Sequence, residues 1–317
     1  MQSQCGRDHA FGKAPFPGAG NRSASSIGTE CMTMFPVWRE ISAQRIGQAP
    51  GTAIVAEETP IGLLYNGVPH AVMMATPADL EDFAVGFSLT EDIVRAASEI
   101  RGIDVRETAD GVELDVLLAP ERFHAFLSRR RTRSLRGHTS CGLCGVEEIA
   151  DACSMTPRAP AGSSFTPAAL QHALAMLSSQ QELNRRTRAT HAAAWVSVEG
   201  EILLVREDVG RHNALDKLIG AALRQGIDLA AGFCLITSRC SYEMVQKALM
   251  AGMPAIVAIS APTALAVRAA EAAGLTLVAL ARADGQNVYA GPQRIRDLLP
   301  GDAVPVGDVT IPGKPLG

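Results

Sequence analysis

Aromatic side chains are scarce in this sequence. They make up 4% of its 317 residues, with two tryptophans and three tyrosines. That excludes a core built from stacked rings. Alanine, leucine and valine dominate the 47% of apolar residues instead, a composition that suits helices packed on a buried sheet. Charge of one sign is also in short supply. The formal net charge of -4 is too small for bulk attraction to nucleic acid or an anionic membrane. No apolar run approaches the roughly 20 residues that cross a bilayer, and the N-terminus has no apolar signal-peptide segment. These absences point to a soluble, cytoplasmic protein with neither a nucleic-acid nor a membrane partner. The seven cysteines are odd in number and come without an export signal, which argues against a disulfide framework. Cys234, inside AGFCLIT, reads as a buried small hydrophobe.

The length allows one large domain, or one domain with a smaller companion. Residues 1–45 are rich in Gly, Ser, Ala and Pro without a sustained period, so they are expected to be a disordered leader. Residues 46–135 read as an α+β region. TAIVAEE and IGLLYNGVPHAVMM are strand-like, and Asn66-Gly67 is a two-residue hairpin signal. In TPADLEDFAVGF, Thr76 is placed to cap a helix, Pro77 to open it and Asp79 to complete a capping box. IDVRETADGVELDVLL reads as a second hairpin around Asp110-Gly111, and ERFHAFLSRRR as a helix. Residues 136–165 hold a cysteine loop and a Pro/Gly/Ser linker. Residues 166–300 change pattern: Thr166-Pro167 opens a helix to about Gln180, and from His191 short apolar strands alternate with helices. That alternation marks βαβ units around a parallel sheet. Residues 301–317 form a tail.

In open parallel sheets, ligands sit beyond the carboxyl ends of the strands, where helix N-termini converge. Four segments fall there. EILLV is followed by REDVGRHN (206–213), GFCLIT by Ser238-Arg239-Cys240-Ser241, and AIVAI by Ser260-Ala261-Pro262-Thr263. LTLVAL is followed by Ala281-Arg282-Ala283-Asp284-Gly285. Three of the four carry arginine and two carry hydroxyls at a helix start, which suits phosphate and so a nucleotide-bearing ligand. Taken singly, each reads as plain helix caps and solvated arginines. Their coincidence at one edge points to a site that includes Asp208, Arg211 and His212. His212 reads either as a general acid or base or as an orienting hydrogen-bond group.

HTSCGLCGVEEIAD (138–151) carries a lone Cys-x-x-Cys, Cys141 and Cys144. Four readings compete. Structural zinc needs four ligands, which His138 and Cys153 could complete, but no second paired motif exists. A thioredoxin-like pair opens a helix after the first strand of a βαβ unit, whereas this one follows a basic loop. A zinc deaminase shows His-x-Glu and Pro-Cys-x-x-Cys, and here Ser140 replaces the proline and the glutamate is missing. The fourth reading is sulfur chemistry on a mobile loop. Five arginines between 129 and 136 favour the thiolate, and glycines at 137, 142 and 145 free the backbone.

TPADLEDFAVGF, SCGLCG, REDVGRHNALDKLIG, TSRCSYEMVQKA, SAPTALAVRAA and ARADGQNVYAGPQRI, in that order, resemble the formate dehydrogenase accessory sulfurtransferase family, FdhD. The likeness runs over about 50–297. It implies a three-layer, cytidine-deaminase-like α/β core with a mostly parallel mixed sheet, plus the smaller N-terminal α+β region. It also implies a sulfurtransferase that takes sulfur from a cysteine desulfurase as a Cys141 persulfide, with Cys144 assisting. The sulfur would pass to the molybdenum bis(molybdopterin guanine dinucleotide) cofactor before that cofactor enters formate dehydrogenase. Cofactor contacts would fall on Leu280, Ala281, Arg282, Ala283, Asp284 and Gly285, and more loosely on Arg211, His212, Ser238, Arg239, Ser260 and Thr263. The cofactor would be cargo, with no resident metal, and the protein a homodimer. A cofactor-binding chaperone that moves no sulfur and a zinc-structured nucleotide-binding protein are the alternatives. This chain departs from the family pattern at Arg188-Ala189-Thr190 before His191, at Thr237-Ser238-Arg239, and at Ala279-Leu280-Ala281.

Overall fold

The computed structural model describes residues 35–134, 162–283 and 285–298. Strands β1 (Trp38–Gln44) and β2 (Pro50–Ala56) form an antiparallel ribbon in register from Trp38↔Ala56 to Gln44↔Pro50. The expected disorder up to residue 45 therefore fails over Trp38–Gln44. Pairing with β2 supplies the backbone partners that composition does not reveal.

A four-stranded sheet follows, ordered β4-β3-β6-β5, from β3 (Thr59–Tyr65), β4 (Val68–Ala75), β5 (Ile100–Glu107) and β6 (Val112–Leu118). Asn66 and Gly67, at φ 48° and 78°, make the β3–β4 turn as their left-handed preference dictates. Ile61, Leu63 and Tyr65 alternate with less buried neighbours, as do Val112, Leu114 and Val116, so one face of the sheet enters the core. Helix α1 (Leu80–Thr90) packs against that face, and α2 (Pro120–Ser134) follows β6.

Helices α3 (Pro167–Gln180) and α4 (Glu182–Thr187) lead to a six-stranded sheet. Its strands are β7 (His191–Ser197), β8 (Ile202–Asp208), β9 (Gly232–Ile236), β10 (Ala255–Ala258), β11 (Thr276–Arg282) and β12 (Gly285–Ala290). They lie in the order β12-β11-β10-β9-β7-β8. Alternate residues serve its two faces. Ala194, Val196, Phe233 and Leu235 pack with Leu170 and Leu177 of α3. Trp195, Cys234 and Ile256 pack with α5 (Arg211–Gln225), α6 (Tyr242–Met250) and α7 (Ala264–Ala273). Cys234 is fully buried, as its apolar context implied. Among the described residues, no helix is long and apolar enough to cross a membrane.

The expected mostly parallel sheet is corrected here. Only β9–β10 and β10–β11 are parallel, while β7–β8, β7–β9 and β11–β12 are antiparallel. Short turns after β7 and β11 leave no room for a crossover helix, so the chain must reverse. Even so, β8, β9, β10 and β11 run in one direction and end at one edge.

The start of α1 also differs from expectation. Asp79, not Thr76, takes the N-cap position, in a left-handed conformation at φ 52° and with no side-chain cap. Thr76 is instead fully buried and bound to the turn after β8. Its amide donates to Asp208 Oδ2 at 3.0 Å, and its Oγ1 accepts from the Val209 amide at 3.1 Å. Asp208 also accepts from the Gly210 amide at 2.7 Å and from Asn213 Nδ2 at 3.1 Å. Lys217 Nζ lies 2.6 Å from Asp208 Oδ2 and donates to the Thr76 carbonyl at 2.8 Å, with both side chains sealed from solvent. At the other end of α1, Thr90 Oγ1 donates to Asp216 Oδ1 at 2.8 Å, and Lys247 Nζ of α6 donates to Asp216 Oδ2 at 3.0 Å.

Between those two ties, α1 and α5 approach through glycines. A Cβ on Gly86 would sit 1.8 Å from the Asp216 carbonyl oxygen, and one on Gly220 would sit 1.8 Å from the Asp82 carbonyl oxygen. Gly86→Ala is expected to destabilise the fold by about 3 kcal/mol, because backbone cannot yield as a side-chain tip can. Urea denaturation measures it. Lys217→Met, which keeps the volume and strips the cation from buried Asp208, is expected to cost about 3–5 kcal/mol in the same measurement.

Candidate functional site

Each helix on the α5–α7 face begins at the sheet edge where β8, β9 and β10 end. α5 starts after Val209-Gly210, α6 after Ser241, and α7 after Thr263. The amides of these first turns have no carbonyl partners within their helices, so the edge carries partial positive charge.

Arg211 and His212 are the first two residues of α5. Arg211 is half-buried, and its Nε is sealed without a hydrogen-bond partner among the described residues. His212 Nε2 lies 2.7 Å from Glu243 Oε2, a side chain in the first turn of α6. Burial holds the His212 ring below the ordinary histidine range, Arg211 and Lys247 push the same way, and Glu243 opposes them. His191 stands at the same edge, as the first residue of β7. Burial and Arg211 lower its affinity for a proton, with Asp208 pulling against them.

The loops after β9 and β10 are laced together. The Cys240 amide donates to the Ala261 carbonyl at 3.2 Å, and the Thr263 amide donates back to the Cys240 carbonyl at 3.0 Å. Burial pushes the Cys240 thiol up to about 12, which makes it a neutral filler and no nucleophile. The Leu280 amide donates to the Ser260 carbonyl at 3.2 Å, which joins the β11 end to the same lacing. Leu280 occupies the left-handed region at φ 52°, where β11 breaks register with β12 between Ala279 and Arg282.

Of the residues singled out in the sequence, topology thus gathers Arg211, His212, Ser238, Arg239, Ser260, Leu280 and Arg282 at one edge. Several do ordinary structural work there. Asp208 is wholly buried and saturated by Thr76, Gly210, Asn213 and Lys217, so it shapes the turn and does not face a ligand. Thr263 caps α7, accepting from the Ala266 amide at 3.3 Å. Buried Ser238 donates to the Arg239 carbonyl at 3.1 Å, and the Ala281 methyl lies in the core with Phe165 and Val278. Arg239, Arg282, Ala283 and Gly285 are exposed, and the Arg282 carbonyl accepts from Gln171 Nε2 at 2.9 Å. Cys141, Cys144 and Asp284 lie outside the described residues, as do His138 and Cys153. Among the described residues, no group of three or more His, Cys, Asp or Glu could hold a metal ion.

Sequence reasoning gave no role to His191 or Glu243. Glu243 begins a helix whose pattern reads only as amphipathic, so nothing local marked it. Thr237 was noted only as a departure from a family pattern. It secures the strand start that carries His191, its Oγ1 accepting from the Ala192 amide at 2.9 Å.

The fold and this edge define an α/β protein with three helix N-termini gathered at one edge of a mixed sheet. Comparison with known proteins makes the assignment particular. The FdhD/NarQ family profile matches residues 56–296, and the chain belongs to that family. It is 50% identical over 242 residues to the sulfur carrier protein FdhD of Cupriavidus necator, covering 76% of this chain and 83% of that one. Against the sulfur carrier protein FdhD of Xanthomonas euvesicatoria pv. vesicatoria it is 51% identical over 242 residues, 76% of this chain and 85% of that one. A crystal structure from Desulfotalea psychrophila, described as a formate dehydrogenase accessory protein, superposes with a TM-score of 0.63 at 24% identity. It covers 82% of this chain and 98% of its own, and it shares the fold.

The left-handed Leu280 gives the edge a measurable signature. Leu280→Gly is expected to stabilise the protein by about 1 kcal/mol, since glycine adopts that conformation without a Cβ clash. A thermal melt checks the sign, and a drop in stability would show that the leucine side chain contributes more than its backbone costs.

Proposed function

We propose that this chain is a sulfur carrier in formate dehydrogenase maturation, and that Cys141 is the atom-bearing residue. The observation that carries this reading is the 50% identity over 242 residues with a relative named sulfur carrier protein FdhD. The family match, residues 56–296, spans SCGLCG and every segment of the sheet edge.

The Cys141 thiolate attacks the outer sulfur of a cysteine desulfurase persulfide. One S–S bond forms as another breaks, and the desulfurase cysteine leaves as a thiolate. The loaded protein then delivers to its cargo, a molybdenum cofactor of the bis(molybdopterin guanine dinucleotide) type bound for formate dehydrogenase. Attack by Cys144 on the Cys141 sulfur releases the outer sulfur as hydrosulfide and leaves a disulfide. The two cysteines supply the two electrons, and a cellular thiol reductant restores them.

The sheet edge suits such cargo. Phosphates are attracted to the first turns of α5 and α6 and to the guanidinium groups of Arg211, Arg239 and Arg282. Leu280, Ala283, Gly285 and Ser260 line the approach in this reading. The core is read as a cytidine-deaminase-like frame put to sulfur chemistry, an interpretation supported by helices on both faces of a mixed sheet. The protein would work as a cytoplasmic homodimer.

Incubation with a cysteine desulfurase and cysteine, followed by intact mass spectrometry, is expected to show a gain of one sulfur. Cys141→Ala is expected to lose that gain and to bring cellular formate dehydrogenase activity to background. Activity that survives the substitution would favour a chaperone that binds the cofactor without moving sulfur, and one tightly held zinc per chain would favour a zinc-structured protein.

A further inference from the structure

Two surfaces far from the sheet edge lack a covering layer among the described residues. The first is the β1–β2 ribbon. Every residue from Arg39 to Thr52 is exposed, Ile46 at the tip completely, and Ile41 is 44% exposed. Trp38 at the base lies under the Arg186 guanidinium of α4, 5.7 Å from it, and beyond Trp38 the whole of β1 is open to solvent. A two-stranded ribbon by itself is marginal in water. Strand alternation puts Arg39, Ile41 and Ala43 on one face with their partners Val55, Ala53 and Gly51. The second surface is the outer face of the four-stranded sheet, opposite α1. A Cβ on Gly62, in the middle of that face, would meet only Glu113 and the Val112 carbonyl of the adjacent strand within 4 Å. Val72, paired with Gly62, is 69% exposed, and Met74 is 47% exposed.

We propose that the ribbon is an arm exchanged between two copies of this chain, with its Ile41 face laid on the outer sheet face of the other copy. This deepens the homodimer included in the reading above and rests on that part of it.

The two surfaces match in polarity, charge and length. Strands β4 and β3 give the outer face an apolar half, with Val72, Met74, Pro60 and Leu64. Strands β6 and β5 give it an acidic half, where Asp104, Glu113 and Asp115 gather around Arg106 and leave negative charge in surplus. The arm carries the same order along its length. Ile41 comes first, and Arg45 follows at the tip with no ion-pair partner among the described residues, while Arg39 is held by Glu57. Four residues of strand span about 13 Å and three strand spacings about 14 Å. With Ile41 over β4, Arg45 therefore reaches the acidic strands. The arm does not serve its own sheet, since Val72 and Met74 stay open. Both halves of the contact lie on one chain, which makes a second copy the fitting occupant. Under a two-fold axis each copy gives an arm and receives one, so the contact is made twice and the assembly closes. The exposed apolar strip of β4 is then buried.

The test uses the full chain. Sedimentation velocity reads the mass. Benzoylphenylalanine placed at Ile46 reads the neighbour after illumination, and mixing isotope-labelled with unlabelled copies separates links between chains from links within one. The expected protein is a dimer, with links between chains that fall on the peptides of β5 and β6. Ile41→Asp and Val72→Asp are each expected to weaken dimerisation about 100-fold, because each puts a carboxylate into an apolar contact. Both side chains are exposed in the single chain, so neither change disturbs its core, and circular dichroism checks the fold. A wild-type monomer would overturn the proposal. So would links that fall on other peptides or on another protein, or a dimer that ignores both substitutions. Sulfur gain, read by intact mass on the same samples, judges the carrier reading separately. A monomer that gains sulfur overturns the arm exchange alone, and a dimer that never gains it overturns the carrier reading alone.

Discussion

The buried contact between Asp208 and Lys217 is the constraint on which this architecture turns. Both side chains are sealed from water, and an ion pair survives there only if every polar atom around it is matched. The carboxylate meets this condition through the Thr76 and Gly210 amides and Asn213, and Lys217 through the Thr76 carbonyl. Asn213 also reaches the Met74 carbonyl at 2.9 Å. One carboxylate thereby locks the end of β8, the start of α5 and the segment after β4. It joins the two sheets at the edge where α5 begins.

That lock also governs geometry further along the helices. With the start of α5 fixed to the chain after β4, α1 must lie along α5, and only glycines at 86 and 220 permit the separation observed. The second buried cluster, Asp216 with Thr90 and Lys247, fixes α6 relative to both. The distance between the first turns of α5 and α6 is thus set by buried polar contacts instead of by loops. His212 and Glu243 inherit their spacing from this frame, which is why a pair on two separate helices can hold a 2.7 Å contact.

Much of this was legible from residue pattern. The Asn66-Gly67 hairpin, the Thr166 cap with its 3.1 Å contact to the Ala169 amide, the closure of α5 at Gly226 and the burial of Cys234 all follow from local rules. Local rules misjudged Thr76, where a cap sequence gave way to bonds with a residue more than a hundred positions away. They also misjudged Trp38–Gln44, whose strand partner composition hides, and the strand directions, which depend on turn length more than on strand composition. REDVGRHN looked uniformly site-like, yet its members divide. Glu207 accepts from the Leu183 and Asn184 amides of α4, Asp208 is interior, and Arg211 and His212 open α5 at the sheet edge.

The sequence by itself determined the alternation of strands and helices, the basic and hydroxyl-bearing segments after the strands, and the lone Cys-x-x-Cys, because each is written in neighbouring residues. Only the tertiary structure decided which of those polar groups are interior ties and which remain available, and that Glu243 stands against His212. Those outcomes depend on desolvation and on contacts between distant segments, neither of which has a local signature.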